Sequence, residues 1–263
     1  MVCLAALGRW AVGIERLSLL PLLFLTWVLA SPAMGEVIHV KILVDEEERT
    51  TPGAWQRRLK DRVDAASSII NQYCNIRFAV VDFATWQSDN RVNDLDRTLR
   101  EFEQEVSPDP GQLAIGFSSQ YRFQKGINGL GGTRGPLSTH ILLRESSPKT
   151  REPERLEALV HELGHFLGAA HSSDPYSAMR PVVGDGLARN PTFRIGFDPY
   201  NARIVQLVGT EVSALGVRRF GSLSQTTVDR LLLQYHQLAK ELPKDPTAKR
   251  YIKYLESRRR KRP

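Results

Sequence analysis

Residues 161–171, HELGHFLGAAH, concentrate three imidazoles, one carboxylate and two glycines in eleven positions. His161 and His165 are four apart, so on a helix their rings share a face, one turn apart, and can offer nitrogens to a single ion. Glu162 is rotated from them by about 100°, which lets it reach a metal-bound water without being a ligand. Gly164 inside a helix costs about 1 kcal/mol against alanine, which implies that another part of the chain approaches closely there. Gly168 stands where the helix has to stop and turn, since positive φ carries no steric penalty for glycine. His171 follows three residues later, placed to come back as a third nitrogen ligand. Three neutral imidazoles with a fourth position left to water make an open, catalytic zinc site, whereas a structural site is closed by four protein ligands. Such an ion polarises a carbonyl and acidifies water, and Glu162 would be the general base that takes the water proton and passes it to a leaving amine.

The elements that must position these groups are readable from periodicity. A helix should open at Glu152, with Pro153 at its first position and Glu152, Glu154 and Glu157 placing negative charge at the positive end of the dipole. Leu156, Leu159, Val160, Leu163 and Leu167 make its core stripe. The histidine face lies almost opposite, where Ala158 and Gly168 leave room for a cleft. Upstream, strands are predicted at 37–44, 76–83, 112–117 and 139–144, and helices at 51–73 and 95–106. This alternation implies an α/β (α+β) fold with a mostly parallel, mixed sheet and helices packed on it. Gly126, Gly129, Gly131, Gly132 and Gly135 form a glycine-rich loop, but it leads into a strand rather than opening a helix, so phosphate binding is not expected. Downstream, helices are predicted at 197–208 and 227–242. Asp245 as N-cap and Pro246 in the first turn should open a last helix through Tyr251, Ile252 and Leu255. The last two would make a C-terminal helical hairpin, able to dock on the rest, to recognise a partner or to dimerise.

The signature resembles the HExxHxxGxxH pattern of the metzincin zinc endopeptidases. That clan carries a methionine turn beneath its metal, and Met179 follows His171 by eight residues in the run Ser177-Ala178-Met179-Arg180-Pro181. Ser172 and Pro181 resemble the HSxxxxxxMxP arrangement of the matrixin branch, with reprolysins the other similar branch. The resemblance implies a zincin catalytic domain with an active-site helix and a Met-turn, one catalytic zinc on His161, His165 and His171, Glu162 as base, and no tyrosine ligand. It further implies an extended protein or peptide substrate paired along an edge strand near residues 130–139, with residues 181–186 walling a pocket. No matrixin-type cysteine switch and no upstream His/Asp cluster for a second zinc are found, and calcium is left open. His39, His140 and His236 read as structural or solvent-exposed.

The 263 residues carry 36 Lys+Arg against 29 Asp+Glu, a formal +7, with 41% hydrophobic residues. That balance excludes disordered and collagen-like classes. Arg9 and Arg16 precede an apolar run to Ala30, followed by Ala33 and Gly35, the order of a secretory signal. Residues 1–35 are therefore read as a signal peptide, 36–211 as the catalytic domain and 212–263 as a helical extension with a basic tail. The expected location is secreted or extracytoplasmic, with membrane anchoring by an uncleaved signal as the alternative. Cys3 lies in the signal, so Cys74 has no disulfide partner and reads as a small buried residue. The basic end, Lys249 to Arg262, reads as a solvated, frayed tail able to contact anionic surfaces, with no specific nucleic acid expected. Function is read as a secreted zinc endopeptidase. The alternatives are an amidase acting on cell-envelope peptides through the same site and a catalytically silent binding module.

Overall fold

The computed structural model describes residues 35–92, 94–120, 130–145 and 149–259, all within the unit Met34–Pro263. The signal segment, Gly126 and Gly129 of the glycine loop, and Arg260, Lys261 and Arg262 of the basic end lie outside the described residues. Among the described residues no helix is long and apolar enough to cross a membrane.

Five strands form one sheet in the order β2-β1-β3-β5-β4. Strand β1 (Glu36–Asp45) runs parallel to both β2 (Ile76–Trp86) and β3 (Leu113–Ser118), and β3 runs parallel to β5 (His140–Arg144). The short β4 (Gly131–Thr133) adds antiparallel to β5 at the sheet edge. Helix α1 (Pro52–Asn71) crosses from β1 to β2, and α2 (Leu95–Glu105) from β2 to β3. The mixed α/β class expected from the sequence is the one observed.

The period-2 alternation of strand side chains divides the core in two. Ile38, Val40, Ile42 and Val44 of β1, with Leu113, Ile115 and Phe117 of β3 and Ile141 and Leu143 of β5, belong to the large cluster that includes Trp55, Leu59, Val63, Ala66 and Ile70 of α1. The intervening Leu43, Ala114 and Leu142 join a smaller cluster with Leu99 and Phe102 of α2. Burying each such large apolar side chain contributes about 1.5–3 kcal/mol before entropy is counted, so α1 is held by its stripe rather than by its caps. Its N-cap, Thr51, makes no side-chain capping bond.

The central helix α3 (Glu152–Phe166) belongs to the large cluster through Leu159, Val160 and Leu163, with Leu156 only partly buried. Two details differ from expectation. Arg151 is the N-cap, so Pro153 is the second helical residue, and while Glu152 and Glu154 do stand in the first turn, Glu154 and Glu157 are also fully buried ion-pair partners. Glu154 meets Arg189 at 2.6 Å, and Glu157 meets Arg180 through two hydrogen bonds, one of 3.1 Å.

Helix α4 (Pro199–Leu215) starts after Asp198, whose carboxylate accepts from the N–H groups of Tyr200 and Asn201, and ends at Gly216 with φ 64°. It thus runs through residues 211 and 212. Helices α5 (Gln225–Glu241) and α6 (Thr247–Arg259) form the hairpin, and α5 packs on α4. Lys249, Arg250, Lys253, Arg258 and Arg259 sit on α6, which corrects the reading of this stretch as a frayed tail. The apolar anchors Ala248 and Leu255 dock α6 in the large core and hold its basic residues in a helix.

Candidate metal centre

His161 and His165 project from the last turns of α3, 6% and 9% exposed. Nδ1 of His161 lies 2.7 Å from the Ala178 carbonyl, and Nδ1 of His165 lies 2.8 Å from the Ala169 carbonyl. A carbonyl only accepts, so in each ring Nδ1 carries the proton and Nε2 is bare. The two Nε2 atoms face each other at 3.1 Å. Two lone pairs at that separation repel unless a cation lies against them. Burial, and secondarily the charge of His171, pushes His161 down to about 4, and burial drives His165 well below the ordinary range. Both rings are therefore neutral at neutral pH, the state in which imidazole binds metals.

The chain reverses at Gly168, with φ 89°. A side chain there would meet Tyr235 Oη at 3.1 Å, and Tyr235, fully buried, donates to the Gly168 carbonyl at 2.6 Å. Asn201 of α4 clamps the next stretch, accepting from the Ala170 N–H and donating to the Ala170 carbonyl, each at 2.9 Å. These contacts aim His171 back, with its ring centroid 5.3 Å from that of His161 and 5.0 Å from that of His165. One potential ligand atom from each histidine lies within 4.8 Å of the others.

Met179 forms the floor. It is fully buried, and a side chain on Gly164 would begin 2.6 Å from its Sδ and 2.9 Å from Phe197 Cε1. The close approach implied by a mid-helix glycine is thus made by the methionine turn and Phe197. The turn is fixed by Ser177, whose hydroxyl donates to Asp198 at 2.8 Å and accepts from the Met179 N–H at 3.0 Å, and by Ser172, whose N–H donates to the Met179 carbonyl at 2.9 Å.

Glu162 is 5% exposed, its Oε2 has no hydrogen-bond partner, and burial lifts its carboxyl to about 8. It lines the same cavity as the three histidines, a space of about 810 Å³ bounded by residues 130–138, Pro181, Val183, Phe220, Tyr251 and several arginines. A buried carboxyl group whose Oε2 has no partner, beside three imidazoles each offering a ligand atom within 4.8 Å of the others, is a donor set suited to a divalent cation of intermediate softness and one water. The residues fit zinc. The edge strand passes directly over Glu162, since a side chain on Gly131 would begin 2.8 Å from Glu162 Cγ.

The structure therefore brings together His161, Glu162, His165, Gly168, His171 and Met179. Among the described residues, His161, His165 and His171 are the one group of three or more histidine, cysteine or acidic side chains close enough to share an ion. His140 lies outside it, with Nε2 2.9 Å from the Val106 carbonyl, and His39 and His236 are exposed. Cys74 is buried, and burial pushes its thiol up to about 12. Sequence reasoning missed the hairpin's share of the site. Nδ1 of His171 donates to Asp245 Oδ2 at 2.7 Å, and Thr247, Arg250, Tyr251, Tyr254 and Arg258 line the cavity. Burial disfavours ionisation of Asp245, but hydrogen bonds from His171 and Thr247 outweigh it and hold the carboxyl below its usual range. The Asp-Pro-Thr helix start was a visible signal for a cap, and nothing in local spacing ties it to residue 171.

A family model, Reprolysin_5, described as metallo-peptidase family M12, matches residues 35–188. No curated protein matches the sequence. Among solved structures, the archaemetzincin of Methanopyrus kandleri superposes at a TM-score of 0.47 and 16% identity over 65% of this chain and 95% of its own. A chain from a structure titled "Structure of a chaperone-substrate complex" gives a TM-score of 0.48 and 13% identity over 69% of this chain. The overlap spans 35% of that longer chain.

Proposed function

The chain belongs to metallo-peptidase family M12, a zinc-dependent peptidase family, and on that premise we propose that it is an exported endopeptidase in which His161, His165 and His171 hold the zinc and Glu162 is the general base. The observation that carries this reading is the approach of three imidazoles, each with its Nδ1 already engaged and each offering a ligand atom within 4.8 Å of the others, beside Glu162, whose Oε2 has no partner. When bound, zinc supplies a Lewis acid that polarises a carbonyl and acidifies water.

The rest is work for the chain's own groups. The carbonyls of Ala178 and Ala169 and the Asp245 carboxylate keep the three rings in one tautomer and one orientation, so no reorganisation accompanies binding. Glu162 holds a water by hydrogen bonding, takes its proton at a carboxylate oxygen and delivers it to the departing amine nitrogen. Its dry setting raises its basicity toward neutral pH, where proton transfer of this kind is most effective. Substrate backbone pairs in extended form with the outer edge of β4, which sits against Glu162, and the side chain beyond the scissile bond packs against Pro181 and Val183. The order of charged, apolar and small residues at the N-terminus supports export.

Glu162→Gln tests the assignment. It is expected to keep its zinc and to lose casein cleavage by about 10²–10⁴-fold, the span typical of a general base. Cleavage at the parent rate by the zinc-loaded variant would remove Glu162 from the mechanism.

A further inference from the structure

We infer that Asp245, from the turn between α5 and α6, is a positioning residue for the third zinc ligand, so that the C-terminal hairpin is part of the metal centre. This rests on the metal assignment proposed above. The three histidines are not held alike. His161 and His165 sit on α3, and each Nδ1 is tied to a backbone carbonyl, 17 and 4 residues away. His171 lies beyond the helix end in irregular chain, and its side chain is 21% exposed. Its Nδ1 partner is a side chain 74 positions later, Asp245 Oδ2 at 2.7 Å.

Asp245 is itself held. Its Oδ1 accepts from the Thr247 N–H at 2.8 Å, its own N–H donates to the Leu242 carbonyl at 3.1 Å, and Thr247 Oγ1 lies 3.3 Å from the same histidine nitrogen. The helix starts at Thr247, so Asp245 stands one position outside the expected N-cap, yet its one carboxylate accepts both from the first N–H of α6 and from the imidazole. A carboxylate on Nδ1–H leaves Nε2 as the ligating atom and makes it more basic than a carbonyl partner would. The hairpin is pinned a second time by the bond from Tyr235 to Gly168, at the reversal leading to His171.

The test compares the full chain with Asp245→Asn, Asp245→Ala and Thr247→Ala, reading zinc affinity by competition with a chromophoric chelator and apoprotein stability by thermal melting. Asp245→Ala is expected to bind zinc about 10–100-fold more weakly, the usual effect of removing such a partner. Asp245→Asn, which keeps an acceptor and the cap but not the charge, should fall between it and the parent with an unchanged apoprotein melt. If the alanine variant does not fold, the asparagine variant carries the comparison. Parent-like zinc affinity in both Asp245 variants overturns the inference and leaves the metal assignment standing. A folded parent that binds no zinc overturns both.

A different observation carries a substrate class, again resting on the peptidase reading. The cavity's acidic lining residues are Glu162 and Asp96, and Asp96 is paired with Arg134 at 3.2 Å. Arg219, Arg250 and Arg258 also line it, all exposed and all from the C-terminal segment. A cleft lined by an excess of one sign of charge gathers ligands of the other, so the structure assigns an acidic peptide as the preferred substrate. In matched peptides carrying Glu, Gln or Lys near the scissile bond, kcat/KM should favour Glu over Lys by at least about tenfold at low salt, and the gap should narrow as salt rises. Arg250→Glu with Arg258→Glu should reverse the order of the Glu and Lys peptides. No preference, or one that the charge reversals leave in place, overturns the assignment, and failure to cleave any of the peptides overturns the peptidase reading beneath it.

Discussion

Replacing Gly164 by alanine sets two magnitudes against each other. In an unobstructed helix the change stabilises by about 1 kcal/mol, because alanine is the better helix former. Here the new methyl would begin 2.6 Å from Met179 Sδ and 2.9 Å from Phe197 Cε1, about an ångström inside the normal 3.5–4.0 Å contact. Met179 is fully buried in a turn fixed by Ser172 and Ser177, so it has little room to yield. Overpacking of this kind costs about 1–3 kcal/mol, which outweighs the helical gain. The expected net loss is about 1 kcal/mol, or roughly 2–4 °C in Tm for a chain of this size. A functional loss should accompany it, because pushing Met179 shifts the neighbouring Ala178 carbonyl that orients His161. Zinc affinity should fall by about tenfold, the lower end for disturbing such a partner. Thermal melting and chelator competition read both quantities. Combining the change with Met179→Ala should give less than the sum of the separate losses, since the methyl fills part of the vacated space. A variant that melts higher than the parent and binds zinc equally well would refute the claim that the methionine turn presses on α3.

Three further expectations follow from the same geometry. Gly168→Ala places a side chain at φ 89° and 3.1 Å from Tyr235 Oη, and should cost about 1–3 kcal/mol; an unchanged melting curve would contradict the strain. Asp45 is 1% exposed, and burial raises its carboxyl from 3.8 to about 6, so the folded chain binds the extra proton and stability falls as pH rises from about 4 to 6. Asp45→Asn should remove that component of the pH dependence and stabilise the protein at pH 7 by up to about 3 kcal/mol, at about 1.4 kcal/mol per pKa unit, and denaturant curves at pH 4 and 7 would show it. With its thiol pushed up to about 12, native Cys74 should not react with a chromogenic disulfide at pH 8. Cys74→Ala should therefore remove signal only in guanidinium, and native-state labelling at Cys74 would contradict its burial.

The parts of the site legible in the sequence are those whose geometry is local. His161 and His165 share a helix face, Gly168 marks a reversal, and His171 and Met179 follow within one loop, so residue type and spacing suffice to name them. Asn201, Tyr235 and Asp245 act across 31, 67 and 74 residues, and no periodicity encodes such contacts. The same limit explains Glu154 and Glu157. Their position near a helix start implies dipole complementarity, which Glu154 keeps in the first turn, but it does not reveal Arg189 and Arg180, which pair with them from 35 and 23 residues away. Four of the strands announced themselves as β-branched or apolar runs. Strand β4 did not, because it is three residues long and two of them, Gly131 and Gly132, are glycines that disfavour strands, so it is extended by pairing with β5. The charge run at the basic end reads as a solvated tail, yet the last helix that Tyr251, Ile252 and Leu255 imply carries it as far as Arg259, with Ala248 and Leu255 docked in the core.

The central claim is that three histidines on one helix and its following loop hold a single zinc. Titration of zinc into the folded apoprotein, followed by competition with a chromophoric chelator, tests it directly in the parent and in His161→Ala, His165→Ala and His171→Ala. One tightly bound zinc per parent chain and loss of tight binding in each variant are expected. A folded parent that takes up no zinc, or histidine variants that bind it as tightly as the parent, would contradict it.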